Sequence, residues 1–159
     1  MIVRPLTTNE RAETPGFTHV AVINADDLTQ AVAATLQTIT LCGLLAGDVL
    51  ARFQWFLRTP FQNTADAAFN TTTVSVGDTA SVATHLAAAE ANLNGTEIIH
   101  RIGVTSVLYT ANDVLTITFN SQAAKTLLSI NRGELLLFFD LQRVKYVADA
   151  MAIKAVSKT

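Results

Sequence analysis

The chain has 159 residues, of which 50% are hydrophobic and 15% are charged, with a formal net charge of -2. This length favours a single domain, and the high hydrophobic fraction excludes global disorder, which requires low hydrophobicity and high charge. The nearly neutral charge argues against a protein that binds nucleic acid through its overall charge.

The N-terminal segment, residues 1–16, is predicted to be an irregular arm because it is polar, contains two prolines and shows no sustained periodicity. It lacks the apolar core of a secretory signal, so we expect synthesis in the cytoplasm. The most apolar stretch, residues 36–57, is interrupted by Asp48 and Arg52. A membrane span needs about 20 mostly apolar residues, so no membrane partner is expected.

Strands are predicted where apolar and polar residues alternate. The first two cover Phe17–Ile23 and Thr35–Leu41, and the clearest covers Asp48–Arg58. On this third strand the predicted core face consists of Val49, Ala51, Phe53, Trp55 and Leu57. Its predicted outer face consists of Leu50, Arg52, Gln54, Phe56 and Arg58. Pro60 is expected to end the strand because proline cannot donate a ladder hydrogen bond.

The next segments are a predicted strand at Thr71–Val76 and an alanine-rich stretch, residues 79–93. In the stretch, apolar residues recur at helical spacing and Asn94-Gly95 provides a stop. We therefore expect a short inserted helix; if its alanine-rich part Ala80–Ala91 packs outside the sandwich, it is a candidate for contacts with partners.

Strand character returns in the rest of the chain, at Thr96–Ile102, Val104–Tyr109, Leu115–Phe119 and Glu134–Arg143. Asn112-Asp113 is predicted to be a hairpin turn. Asn131-Arg132-Gly133 is predicted to be a turn whose glycine adopts a positive φ. The last strand is expected to present its inner face through Leu135, Leu137, Phe139 and Leu141.

Together these elements predict an all-β fold, a jelly-roll-like β-sandwich of about eight antiparallel strands. One short helix is inserted, and extended N- and C-terminal arms flank the sandwich. The predicted division is an arm at 1–16, a sandwich domain at 17–143 and a tail at 144–159. The chain has no regular alternation of strand and helix, which argues against a parallel nucleotide-binding sheet.

Motifs that would mark a catalytic or cofactor site are not found in the sequence. His19, His85 and His100 fall in different predicted elements without metal-ligand spacing. One cysteine, Cys42, cannot build a structural zinc site and is expected to be a buried, inert thiol. Nucleophile elbows, phosphate loops and dinucleotide motifs do not occur. We therefore expect no catalytic residues, no metal and no cofactor.

A basic and aromatic platform for nucleic acid is also not predicted. Trp55 lies opposite to Arg52 and Arg58 in a period-two strand, so we place Trp55 in the core. No direct binding of nucleic acid is expected.

Two predicted strands carry apolar residues on both faces, namely Asp48–Arg58 and Glu134–Arg143. A strand with one face in water should alternate apolar and polar residues. The second apolar face must therefore be covered by the inserted helix or an arm, or by another subunit. The candidate residues for an oligomer or capsid interface are Leu50, Arg52, Phe56, Arg58, Leu136 and Phe138.

The order of these features resembles that of small jelly-roll structural proteins from the virions of tailed bacteriophages. The resemblance covers about residues 44–144 and rests on five segments: GDVLARFQWFLRTPF (47–61), NTTTVSVGD (70–78), NGTEI (94–98), YTANDVLTITF (109–119) and GELLLFFDLQRV (133–144). In that family a "GD" strand is similarly followed by a "TxF" corner, a "TVxVGD" strand, a "YTAxD" hairpin and a final "GE" strand.

The resemblance implies a capsid cement or decoration protein on the outer surface of the virion. Such a protein is expected to form a homotrimer and to bind the major capsid protein and other cement proteins, with arms 1–16 and 144–159 reaching its neighbours. The alternative is a head-fibre, spike or tail module that binds a receptor or carbohydrate. A cupin-type enzyme is the third hypothesis, but the His-x-His pair that cupins need is missing from the sequence.

Overall fold

The structure, a computed structural model, describes residues 1–66, 72–87, 99–102, 106–120 and 125–143, with the backbone alone at 99–102. These residues form nine strands and one α-helix. The strands are β1 (Ile2–Pro5), β2 (His19–Asn24), β3 (Gln37–Leu44), β4 (Asp48–Gln62), β5 (Thr73–Gly77), β6 (Ile99–Ile102), β7 (Val107–Leu108), β8 (Asp113–Asn120) and β9 (Arg132–Arg143). The helix is α1 (Thr8–Glu13).

The strands form two antiparallel sheets. The larger sheet has the order β1-β2-β9-β4-β6, and β7 pairs with the first residues of β4. The smaller sheet has the order β3-β8-β5. The pairing is nested, because β2 pairs with β9, β3 with β8, and β4 with both β6 and β7. Nested pairing distributed over two sheets is the winding of a jelly roll, so the predicted all-β sandwich is confirmed.

A single apolar core lies between the two sheets. The ring of Phe61 on β4 packs against that of Phe119 on β8, with centroids 5.3 Å apart. Trp55 is buried, as its predicted core position requires. The predicted inner face of the last strand is also confirmed, because all four of its members are buried: Leu135, Leu137, Phe139 and Leu141.

The N-terminal segment contains regular structure, so the prediction of an irregular arm is wrong. β1 extends the larger sheet by pairing with β2, from Ile2 opposite Val22 onward. α1 begins at a capping box, in which the Thr7 hydroxyl accepts from the Glu10 amide and the Glu10 carboxylate accepts from the Thr7 amide. Arg4 donates to the same carboxylate and ties the strand to the helix.

Strand β4 continues through Pro60 to Gln62, so the predicted end of this strand is wrong. The register with β9 shifts between Leu57 and Thr59 and again between Thr59 and Gln62. Pro60 therefore lies in an irregular part of the ladder, where the missing N–H group of proline is tolerated.

The inserted helix is not found in the part of its range that the structure describes. Residues 79–87 form turns, and the amides of residues 85 and 86 both donate to the carbonyl oxygen of Val76 on β5. A helix would need these backbone groups for its own hydrogen bonds, so the helix prediction is wrong for 79–87. The rest of that prediction, 88–93, and the tail 144–159 lie outside the described residues.

Two of the predicted turns have a different form in the structure. Asn112-Asp113 connects β7 to β8, which belong to different sheets, so it is a crossover and not a hairpin. Gly133 has no positive φ and already lies in β9. Glycine is needed there because a Cβ atom would overlap the buried ring of Phe61.

Candidate assembly surface on the six-stranded sheet

The larger sheet has an outer face, turned away from the core, that carries a continuous row of apolar side chains. Phe56 on β4 lies opposite Leu136 on β9, Leu136 opposite Val22 on β2, and Val22 opposite Ile2 on β1. Directly opposed residues of antiparallel strands share a face and contact each other. We call these four residues the apolar row. Ile2 is 61% exposed and the other three are partly exposed, so the row remains accessible in the isolated subunit.

Polar groups border the apolar row along the strands. On one side, Arg58 Nη1 lies 3.0 Å from Glu134 Oε1, and Glu134 is opposite Asn24. On the other side the border is mixed, because the polar Gln54 lies opposite the apolar Phe138. An apolar centre with a polar rim is the arrangement typical of protein–protein interfaces.

The outer face beyond Gln54 is covered by the chain itself. The ring of Phe17 packs at a tilt on that of Phe138, with centroids 6.1 Å apart, and the Arg52 guanidinium lies 5.6 Å from the centroid of the Phe17 ring. A groove of about 290 Å³ remains between Phe138 and the end of α1, at Glu13. Phe17 therefore covers part of Phe138, whereas the apolar row lies beside this area.

Leu50 is not on the outer face, which corrects its selection as an interface residue. Its side chain is 0% exposed, and the register with β9 shifts between Leu50 and Arg52. An extra residue in one strand reverses the faces on the two sides of the bulge. For this reason Val49 and Ala51, predicted as core, are only partly buried.

The two arginines of the predicted interface, Arg52 and Arg58, lie on the outer face and are exposed. Each has an acidic neighbour within the chain, since Arg52 Nε is 3.8 Å from Asp140 Oδ2 and Arg58 is paired with Glu134. The Arg58–Glu134 pair is exposed and contributes about 0–1 kcal/mol to stability. Asp140 is buried, but the Arg52 side chain beside it is exposed, so both arginines remain accessible to other contacts.

The six predicted interface residues are therefore only partly brought together. Phe56 and Leu136 share the apolar row, Phe138 is covered by Phe17, and Leu50 is interior. Sequence reasoning did not select Val22 or Ile2. Val22 could have been found, because apolar residues occupy both faces of its predicted strand, but Ile2 requires knowledge that β1 pairs with β2.

Among the described residues, no three His, Cys, Asp or Glu side chains lie close enough together to hold a metal ion. No helix in the described part of the chain is both long and apolar enough to span a membrane. The thiol of Cys42 is partly buried, and burial raises its pKa to about 11, which keeps it protonated near neutral pH.

No protein-family model matches the chain, and no curated protein matches it in sequence. The backbone of this chain is similar to that of two solved structures. One belongs to the acidic stable capsid structure of Helicobacter pylori bacteriophage KHP30, with 16% identity, 77% of this chain and 83% of that chain covered, and a TM-score of 0.49. The other belongs to the capsid asymmetric unit of cyanophage Pam1, with 20% identity, 76% and 84% coverage, and a TM-score of 0.48.

Proposed function

We propose that this protein is a non-enzymatic structural component of a tailed-bacteriophage virion. Its role is that of a cement or decoration protein that forms homotrimers on the outer capsid surface and bridges neighbouring major capsid subunits. The apolar row is the observation that carries this proposal, because the described residues of the sandwich cover this apolar strip only in part. The resemblance of residues 44–144 to small virion jelly rolls supplies the context.

The mechanism is the burial of apolar area between subunits. Fully burying a phenylalanine or leucine side chain contributes about 1.5–3 kcal/mol. Phe56, Leu136 and Val22 are partly buried within the subunit, and Ile2 is largely exposed, so the row adds a few kcal/mol to each contact. A stable interface needs about 1,600 Å² in total. We propose that the polar rim and the tail 144–159 contribute the remaining area.

The test uses capsid shells of the phage that encodes the protein, prepared without it. The purified chain should bind the shells saturably and raise the temperature at which they disrupt. The double variant Phe56→Ser/Leu136→Ser should bind at least tenfold more weakly. Leu128→Ser is the control, because Leu128 is an exposed apolar residue (57%) that lies outside the outer face.

Two results would contradict the proposal. One is a wild-type protein that neither binds nor stabilises shells. The other is binding to glycans or to a cell-surface receptor in the absence of binding to shells, which would favour the head-fibre, spike or tail alternative.

A further inference from the structure

A buried polar cluster lies where residues 78–87, the loop that follows β5, fold back over that strand. The side chain of His85 is 1% exposed, and its Nε2 atom is 2.6 Å from the hydroxyl oxygen of Tyr109. Asp78 Oδ2 lies 3.6 Å from the same nitrogen and 3.5 Å from the Tyr109 hydroxyl. Three titratable side chains thus share one enclosed space between the sheets and this loop.

The loop is attached to the sandwich at both ends. At its start, Asp78 Oδ1 accepts from the amide of Ser81 and from the hydroxyl of Thr84. At its end, residues 85 and 86 pair with Val76, and Leu86 is 1% exposed within the core. His85 therefore occupies this enclosed position only while the loop is attached to β5.

The groups that face His85 come from four parts of the fold. The ring of Phe53 on β4 lies 5.5 Å away between centroids, Tyr109 follows β7, Asp78 follows β5, and Asp113 begins β8. Burial lowers the pKa of His85, and the carboxylates of Asp78 and Asp113 oppose this effect to a smaller extent. Burial also raises the pKa of Tyr109, so its hydroxyl stays neutral between pH 5 and 7.5.

We propose that residues 78–87 form an acid-released clasp, which detaches from β5 when His85 is protonated and uncovers this end of the core. The closed state holds the imidazole neutral in an enclosed site. In the open state the ring is hydrated and titrates near its ordinary value of about 6.5. Proton binding therefore favours opening. This device does not depend on the proposed role in the virion.

The direction and size of the pH effect on opening follow from the difference in proton binding between the open and closed states. Above pH about 6.5 neither state binds the proton, so opening is independent of pH. Below it the open state binds the proton and the closed state does not, until the lower pKa of the closed state is reached. For a ring that stays neutral in the closed state down to pH 5, opening is about 30-fold more frequent at pH 5 than at pH 7.5.

The experiment is hydrogen exchange of the amides of residues 76, 85 and 86 between pH 5 and 7.5, corrected for intrinsic exchange rates. In the wild type, opening should become more frequent as the pH falls, by at most about 30-fold, and His85→Gln should remove this rise. His19→Gln is the matched control, because His19 is also partly buried with a lowered pKa but lies on β2. It should behave like the wild type.

A wild-type opening equilibrium that does not change with pH would overturn the proposal, as would a His85→Gln variant that keeps the wild-type response. If that variant does not fold, an NMR titration of His85 in the wild type decides. The expected result is a pKa below 6.5, with loss of protection at residue 86 over the same pH range. A pKa at or above 6.5 would overturn the clasp.

Discussion

Replacing Phe56 and Leu136 with serine should weaken association between subunits while leaving each subunit folded. Both side chains lie in the apolar row and are already partly buried within the subunit. Full burial of such a side chain contributes about 1.5–3 kcal/mol. Because part of this is already gained within the subunit, burial in an interface adds about 1 kcal/mol for each side chain. The pair should therefore lose about 2 kcal/mol per contact, which corresponds to a dissociation constant about 30-fold higher.

Sedimentation equilibrium over a range of concentrations measures this change, and urea unfolding measures the stability of the subunit. We expect the double variant to dissociate at much lower concentrations and to lose only about 1 kcal/mol of unfolding free energy per substitution. The Leu50→Ala variant should show the opposite result, with a large loss of stability and unchanged association. Because Leu50 is fully buried, its truncation should cost about 2–5 kcal/mol of unfolding free energy without changing the association of folded molecules.

Equal dissociation constants for the wild type and the double variant would refute this reasoning. So would a double variant that loses as much unfolding free energy as Leu50→Ala, because the two side chains would then belong to the interior of the subunit.

Three further predictions address other parts of the fold. Gly133→Ala should lower the free energy of unfolding by about 1–3 kcal/mol, because the new Cβ atom would overlap the buried ring of Phe61. Gly43→Ala is its control and should be nearly neutral, since no atom lies within 4 Å of the added group, and equal effects at the two sites would contradict the packing argument. Cys42, whose pKa is raised to about 11 by burial, should react with a thiol reagent at pH 8 about a hundredfold more slowly than an ordinary cysteine in the native state, and unfolding should abolish the difference. Glu10→Ala removes the capping box of α1 and should speed tryptic cleavage within residues 1–16, whereas an unchanged rate would show that this pairing does not hold the segment in place.

Alternation along the longest strands was sufficient to predict the sandwich and most of its core. On β9 buried and partly exposed residues alternate from Leu135 to Phe139, and all four of the predicted inner residues are buried. On β4 the same rule places Phe53, Trp55 and Leu57 correctly. It fails at Leu50, because the bulge before Arg52 reverses the faces and no glycine or proline marks that bulge in the sequence.

Pairing between strands that are distant in sequence accounts for the other differences between the predicted and the observed elements. The N-terminal segment becomes a strand only because β2 offers an edge to it, and a local pattern of four residues, Ile2–Pro5, cannot reveal that partner. Its capping box at Thr7 and Glu10 was readable as a helix start. The alanine-rich stretch has helical composition, but the pairing of residues 85 and 86 with Val76 uses its backbone groups instead.

The candidate sites were less predictable than the fold. Phe56 and Leu136 were identified from apolar residues on both faces of a strand, but the row became visible only when register aligned them with Val22 and Ile2. The cluster around His85 has no sequence signature, because its members come from separate segments that the jelly-roll winding brings together.

Cryo-electron microscopy of capsid shells decorated with the protein tests the central claim most directly. The account predicts density on the outer surface of the shell, with Phe56, Leu136, Val22 and Ile2 within a contact between neighbouring subunits. A reconstruction in which the outer face of the six-stranded sheet is open to solvent, while other surfaces make every contact, would contradict it.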